Sequence, residues 1–261
     1  MQKNRFGFRT AGFRDWSFGR AVEAIAAAGY SGIEVCLEHP DCRPEALGEQ
    51  AAGRFAQLLR DCGVSCASVS YHGDFEPPRD QADNQLRALR LTPALGSDVL
   101  ILNAEKAEPE RLQEQWDDLR RRLERLLPQA ENSGIRIALE PEPGHFLHSS
   151  ADMARLISEV RHPLLAVNLD VGHAYLTDDD LGATIRELGD RIVHTHIEGM
   201  PAGEHRHLVP GEGDLNLAEV KTALDSIGYG GWLTVDLFRI GDDPEGFARR
   251  SFAALQSIFG G

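Results

Sequence analysis

Short aliphatic runs alternate with longer amphipathic stretches along the whole chain. The runs occupy 6–13, 32–38, 65–72, 98–104, 136–142, 165–173, 192–199 and 232–238. Between them lie amphipathic stretches such as 17–30, 45–62, 108–132, 178–190, 216–227 and 243–258, which repeat apolar residues at i, i+3 and i+4, the spacing of one helix face. Residues 79–96 fit that spacing less well, because Pro93 interrupts the pattern. Several helical stretches close on glycine just before the next run (AAAGYSG, RDCGVS, ENSGIR, SIGYGG). Glycine tolerates the left-handed cap that turns a chain back on itself. Strand followed by helix, repeated eight times, predicts parallel strands joined by right-handed crossovers. Eight such units in 261 residues predict an α/β fold, a single (β/α)8 TIM barrel spanning 1–261.

Strand parity sharpens this picture. In LDVGH, Leu169 and Val171 alternate with Asn168, Asp170 and Gly172. In WLTVDLF, Leu233, Val235 and Leu237 alternate with Trp232, Thr234, Asp236 and Phe238. In RIALE, Ile137 and Leu139 alternate with Ala138 and Glu140, and in VHTHIEG, His194 and His196 share a face. Alternate side chains of a strand point to opposite faces, and the aliphatic set belongs against the helices. Glu140, Asp170, His196 and Asp236 are therefore expected inside the barrel. Charge buried there demands partners or a metal.

Composition narrows the classes. Hydrophobic residues at 42% and charged residues at 26% describe a globular chain. The net charge of −14 removes the global attraction on which nucleic-acid binding usually rests. No apolar run approaches the ~20 residues of a membrane helix. The start, MQKNRFGFRT, has no apolar segment of an export signal. Cys36, Cys42, Cys62 and Cys66 form no CxxC and read as reduced thiols of a cytoplasmic protein. The basic stretch 119–125 reads as a solvated helix face.

Of the ten histidines, all but His162 fall at or after the C-terminal end of a predicted strand. In a (β/α)8 barrel those ends form the face that carries active sites. Carboxylates and imidazoles converging from the fifth to eighth strands would make a mixed O/N site for a divalent cation. HLVPGEGD has neither nucleotide-loop context and reads as a tight turn over the barrel mouth.

The chain resembles the xylose-isomerase-like superfamily of sugar isomerases and epimerases, which also contains endonuclease IV. The resemblance rests on Glu140 in ALEPEPG, Asp170 and His173 in LDVGH, and His196 in HTHIEG. It continues through His207 in HLVPGEGD to Asp236 in LTVDLF, with GYSGIEV and SYHGDF adding less. It implies a metal-dependent isomerase or epimerase acting on a keto sugar, keto-polyol or keto-glycoside through a cis-enediolate. Glu140, Asp170, His196 and Asp236 would bind one divalent ion, Mn²⁺ ahead of Mg²⁺, Co²⁺ or Zn²⁺. Glu140 and Asp236 would exchange the proton, and His173 would polarise a substrate oxygen. His72, His145, His205 and His207 would join His173 in binding the sugar. The partner is a small molecule, with self-association allowed and no role for nucleic acid or membrane.

Two departures frame the alternatives. Asp236 stands where these enzymes usually carry Glu, and His207 where ketose epimerases carry Arg and endonuclease IV carries His. An endonuclease-IV-like multi-zinc phosphodiesterase would use His72, Glu140, Asp170, His173, His196, His205 and His207, with Asp236 in place of Glu. It would lack its strand-four histidine, for which Asn103 is the nearest candidate. A third reading is a non-catalytic barrel that retains the metal site.

Overall fold

The computed structural model describes residues 5–73, 78–237 and 241–260. Its strands are β1 (Arg5–Arg9), β2 (Gly32–Cys36), β3 (Ser65–Tyr71), β4 (Val99–Asn103), β5 (Arg136–Glu140), β6 (Leu165–Asp170), β7 (Ile192–Ile197) and β8 (Trp232–Val235). Neighbours in sequence pair in parallel, and β8 pairs with β1 to close the barrel. Around them lie α1 (Phe18–Ala27), α2 (Glu49–Asp61), α3 (Pro78–Leu95), α4 (Leu112–Ser133), α5 (Ser150–Val160), α6 (Val171–Thr177), α7 (Leu181–Leu188), α8 (Leu217–Ser226) and α9 (Pro244–Phe259). This is the single (β/α)8 barrel that the alternation predicts.

The glycines at 29, 63, 134 and 228, which close predicted helices, all have φ between 66° and 106°. The strands are shorter than the aliphatic runs. After β1, Thr10–Phe13 forms a 3-10 turn. The sixth run is cut at Asp170, whose side chain accepts a hydrogen bond from the His173 backbone N–H at 2.7 Å. Asp170 thus caps α6, and LDVGH spans a strand end and a helix start. Helix α3 runs through Pro93. Pro93 falls in its last turn, and the chain closes there by Ser97 N–H to Thr92 O at 3.1 Å. Helix α5 follows a capping box made by Ser149 and Asp152. Asp74 and Phe75 of SYHGDF and Phe238 of the eighth run lie outside the described residues.

The barrel wall separates two apolar zones. Phe8, Ile33, Val35, Val69, Leu100, Ile137, Leu139, Val167 and Leu169 join the helix side chains in one continuous core. Val99, Ile101, Ala138 and Ala166 form a small cluster from the opposite parity of β4, β5 and β6, inside the barrel. Further along the same inward faces, Asn103, Glu140, Asn168 and Asp170 replace aliphatic residues. Polar side chains therefore gather toward the C-terminal end.

Candidate metal centre

Parity along the last four strands delivers four side chains to one point. Glu140 ends β5, Asp170 ends β6, His196 precedes the last residue of β7, and Asp236 follows β8 directly. None is more than 2% exposed, and one ligand atom from each lies within 4.8 Å of all the others. From His196 Nδ1, Glu140 Oε2 is 3.4 Å away, Asp236 Oδ2 3.6 Å and Asp170 Oδ2 3.7 Å. Ligands bound to one ion at about 2.0–2.6 Å stand about 3–5 Å apart, so the spread suits a single cation. Asp170 Oδ2 and Asp236 Oδ1 are buried with no hydrogen-bond partner. Orphaned carboxylate oxygens are costly, and a divalent cation would satisfy both. Three carboxylates and one imidazole make a donor set for a hard or borderline ion.

Burial would push the Glu140 carboxyl up, but the charge of His196 and hydrogen bonds from His196 and His72 hold it well below the usual carboxylate range. Burial likewise opposes charge on His196, yet Glu34 and Glu140 raise it well above the ordinary imidazole value. His72 is partly buried, which opposes its charge, but its contact with Glu140 pushes it up to about 9. With no ion between them, Glu140, His72 and His196 thus stabilise one another's charged forms.

Three histidines sit over this cluster. His173 Nδ1 lies 3.2 Å from the Pro141 carbonyl and His207 Nδ1 2.9 Å from the Asp236 carbonyl, so both carry their proton on Nδ1 when neutral. Their Nε2 atoms then face His205 Nε2 with lone pairs, at 2.9 Å and 3.3 Å. Partial burial and the two neighbouring imidazoles push His205 down to about 4. The arrangement can accept a proton, a hydroxyl donor or a cation. The loop that carries it is pinned to the barrel by reciprocal Gly199–Leu208 backbone bonds of 2.8 and 2.9 Å.

Of the other sequence candidates, His72 lies 3.4 Å from Glu140 Oε2. His145 is buried on the loop after β5, 3.3 Å from Glu142, and belongs to none of the close groups. His39 packs edge-on against Phe18. His194 sits deeper than the strand-end face expected for it, between Ser68 and Glu34, because it falls two residues before His196 on the inward parity. Asn103 reaches only Glu142, at 3.4 Å.

Sequence reasoning missed four buried residues of the centre. Arg9 contacts Asp236 Oδ2 at 2.5 Å and Glu34 Oε1 at 2.7 Å. Asn168 donates to Glu140 Oε2 at 2.8 Å. Glu198 accepts from the Gly172 N–H at 2.6 Å. Burial, then the Asp170 charge, push the Glu198 carboxyl well above its ordinary range. The missed signal was parity in β1 and β2: Phe6 and Phe8 face the helices, which turns Arg9 inward, and Ile33 and Val35 do the same for Glu34. A cavity of about 500 Å³ opens at the opposite end, lined by first residues of strands such as Arg5, Arg136 and Trp232. Arg136 is already paired with Asp98 at 2.7 Å, and no close titratable group of this kind lies there among the described residues.

A closed (β/α)8 barrel with a buried carboxylate–histidine cluster at its C-terminal mouth defines the class. The chain belongs to the xylose isomerase-like TIM barrel family, whose model matches residues 22–258. It is similar to fructoselysine 3-epimerase of Escherichia coli O157:H7, 26% identical over 270 aligned positions covering 97% of each chain. It is also similar to inosose dehydratase of Lacticaseibacillus casei, 23% identical over 85% of this chain and 83% of the other. Among solved structures, D-psicose 3-epimerase in the presence of D-fructose shares the fold with a TM-score of 0.80, at 20% identity over 100% of both chains. Epimerases, dehydratases and an isomerase all occur among such relatives, which supports an enzyme. No helix among the described residues is long and apolar enough to cross a membrane.

Proposed function

We propose that the protein is a divalent-metal-dependent isomerase or epimerase acting on a keto sugar, keto-polyol or keto-glycoside. The observation that carries this reading is the Glu140–Asp170–His196–Asp236 cluster with its two partnerless carboxylate oxygens. Those four residues would hold the ion, with Mn²⁺ preferred over Mg²⁺, Co²⁺ or Zn²⁺. The ion supplies Lewis-acid stabilisation of negative charge on adjacent substrate oxygens. Glu140 is kept ionised and acts as base at the carbon next to the carbonyl. Asp236, held through Oδ2 by Arg9, is the second acid–base group, for the opposite face of that carbon. His173, assisted by His72, His205 and His207, binds substrate hydroxyls and holds the carbonyl, with His145 reaching the sugar from the loop after β5. The relatives named as 3-epimerases support proton exchange, and a sugar is the small-molecule partner this chemistry needs.

Metal-loaded protein incubated with keto sugars in D₂O is expected to place deuterium at the carbon next to the carbonyl. Asp236→Asn should lower that exchange by about 10²-fold or more, the scale of a lost acid–base group. Loss of water from the substrate in place of exchange would reassign the site to a dehydratase. Metal binding without turnover of any keto sugar would favour the non-catalytic barrel.

One observation favours the multi-zinc phosphodiesterase: the convergence of His173, His205 and His207 on one point beside the main cluster. Asn103 in place of a strand-four imidazole and the −14 net charge weigh against it. Elemental analysis after gel filtration should find about one ion per chain, since Glu140, Asp170, His196 and Asp236 would together hold one divalent ion. Two or three zinc ions per chain, with incision of a duplex at an abasic site, would overturn the isomerase reading.

A further inference from the structure

Glu34 lies in the barrel interior with no exposure, far from any solvent that could stabilise its charge. Its Oε1 is 2.7 Å from Arg9 Nε. Its Oε2 accepts from the Ser68 hydroxyl at 2.7 Å and lies 2.9 Å from His196 Nε2 and 3.2 Å from His194 Nε2. A neutral imidazole has one N–H and one lone pair, and only the lone pair can bind a cation. Against a carboxylate oxygen at 2.9 Å, His196 Nε2 must carry the proton. Nδ1 is then the lone-pair nitrogen, and Nδ1 is the atom that faces Glu140, Asp170 and Asp236. The same guanidinium that pairs with Glu34 also pairs with Asp236 through Nη1.

From this geometry we infer that Glu34 is a positioning residue: it sets the tautomer and ring orientation of His196, and through Arg9 it fixes the rotamer of Asp236. Two of the four ligands are thereby held from β1 and β2, and β1 comes beside β8 only when the barrel closes. The inference rests on the metal site proposed above. An outer carboxylate that orients a ligating histidine changes metal affinity by about 10- to 100-fold when removed. Glutamine cannot replace it here. Its single carbonyl oxygen can face Arg9 or His196, and its amide N–H groups then point at the other donor.

The test is Mn²⁺ titration calorimetry on the wild type, Glu34→Gln and Ser68→Ala, together with imidazole ¹⁵N spectra of the Zn²⁺-loaded wild type. Glu34→Gln is expected to weaken Mn²⁺ binding by about 10- to 100-fold. Ser68→Ala removes a hydrogen bond from the same oxygen but leaves the carboxylate, and should change affinity by less than about threefold. The ¹⁵N spectra should show His196 bound through Nδ1 with a protonated Nε2. Equal Mn²⁺ affinity in wild type and Glu34→Gln would overturn the inference. So would coordination through Nε2 in the wild type, which decides the matter even if Glu34→Gln does not fold. A wild type that binds neither Mn²⁺ nor Zn²⁺ would instead remove the proposed metal site itself, and this inference with it.

Discussion

Asp236 carries two loads at once, as a member of the buried cluster and as the partner of Arg9. Its Oδ2 is 2.5 Å from Arg9 Nη1, and its backbone carbonyl lies 2.9 Å from His207 Nδ1. An added methylene would push the carboxylate into Arg9 or past the point where the other ligand atoms meet. Asp236→Glu is therefore expected to lose affinity for Mn²⁺ by about tenfold or more and to slow deuterium exchange, although glutamate is a chemically competent ligand. Unchanged affinity on titration would show that Arg9 can yield and that the shorter arm is not fitted. Arg9 was accessible to parity reasoning, but its contact with Asp236 joins residues 227 positions apart and exists only once β8 closes on β1.

The turn from β6 into α6 shows how an element boundary builds a site. Asp170 ends the strand, caps the helix through His173 N–H, and keeps Oδ2 for the cluster. Gly172 allows this, because a Cβ there would stand 2.3 Å from Glu198 Oε1 and 2.4 Å from Met200 Cε. Gly172→Ala should destabilise the fold by about 1–3 kcal/mol, the usual scale of overpacking. Urea unfolding should show a lower midpoint with an unchanged slope. A midpoint equal to wild type would mean that Glu198 moves aside at no cost. The LDVGH run reads as one strand in sequence because its parity is unbroken. Only the Asp170 side-chain bond to the helix end reveals where it stops.

For the molecule as a whole, three carboxyl groups brought to one buried point from separate strands form a cation site only in the folded chain. A divalent ion that binds only the folded chain stabilises it by about 2.7 kcal/mol at a hundredfold excess over Kd. For a chain of this size that corresponds to a rise in Tm of roughly 5–10 °C. Thermal unfolding with Mn²⁺ and with a chelator should show that difference, and its absence in Asp170→Asn should tie it to this cluster. The same Tm in Mn²⁺ and chelator would remove the cation from the proposal.

Sequence alone determined the barrel and the inward direction of Glu140, Asp170, His196 and Asp236. Both follow from periodicities of 3.6 and 2 that act within a few residues and need no knowledge of distant partners. It also placed His173, His205 and His207 near the mouth, since strand order and loop position suffice for that. Tertiary structure alone decided the 2.9 and 3.3 Å meeting of their Nε2 atoms, the burial of Glu198 beside Asp170 that raises its pKa, and the reach of Arg9 from Glu34 to Asp236. Each of these depends on distances between strands far apart in the chain. Local pattern can assign a side chain to a face, but only the closed barrel sets how far one side chain on that face stands from the next.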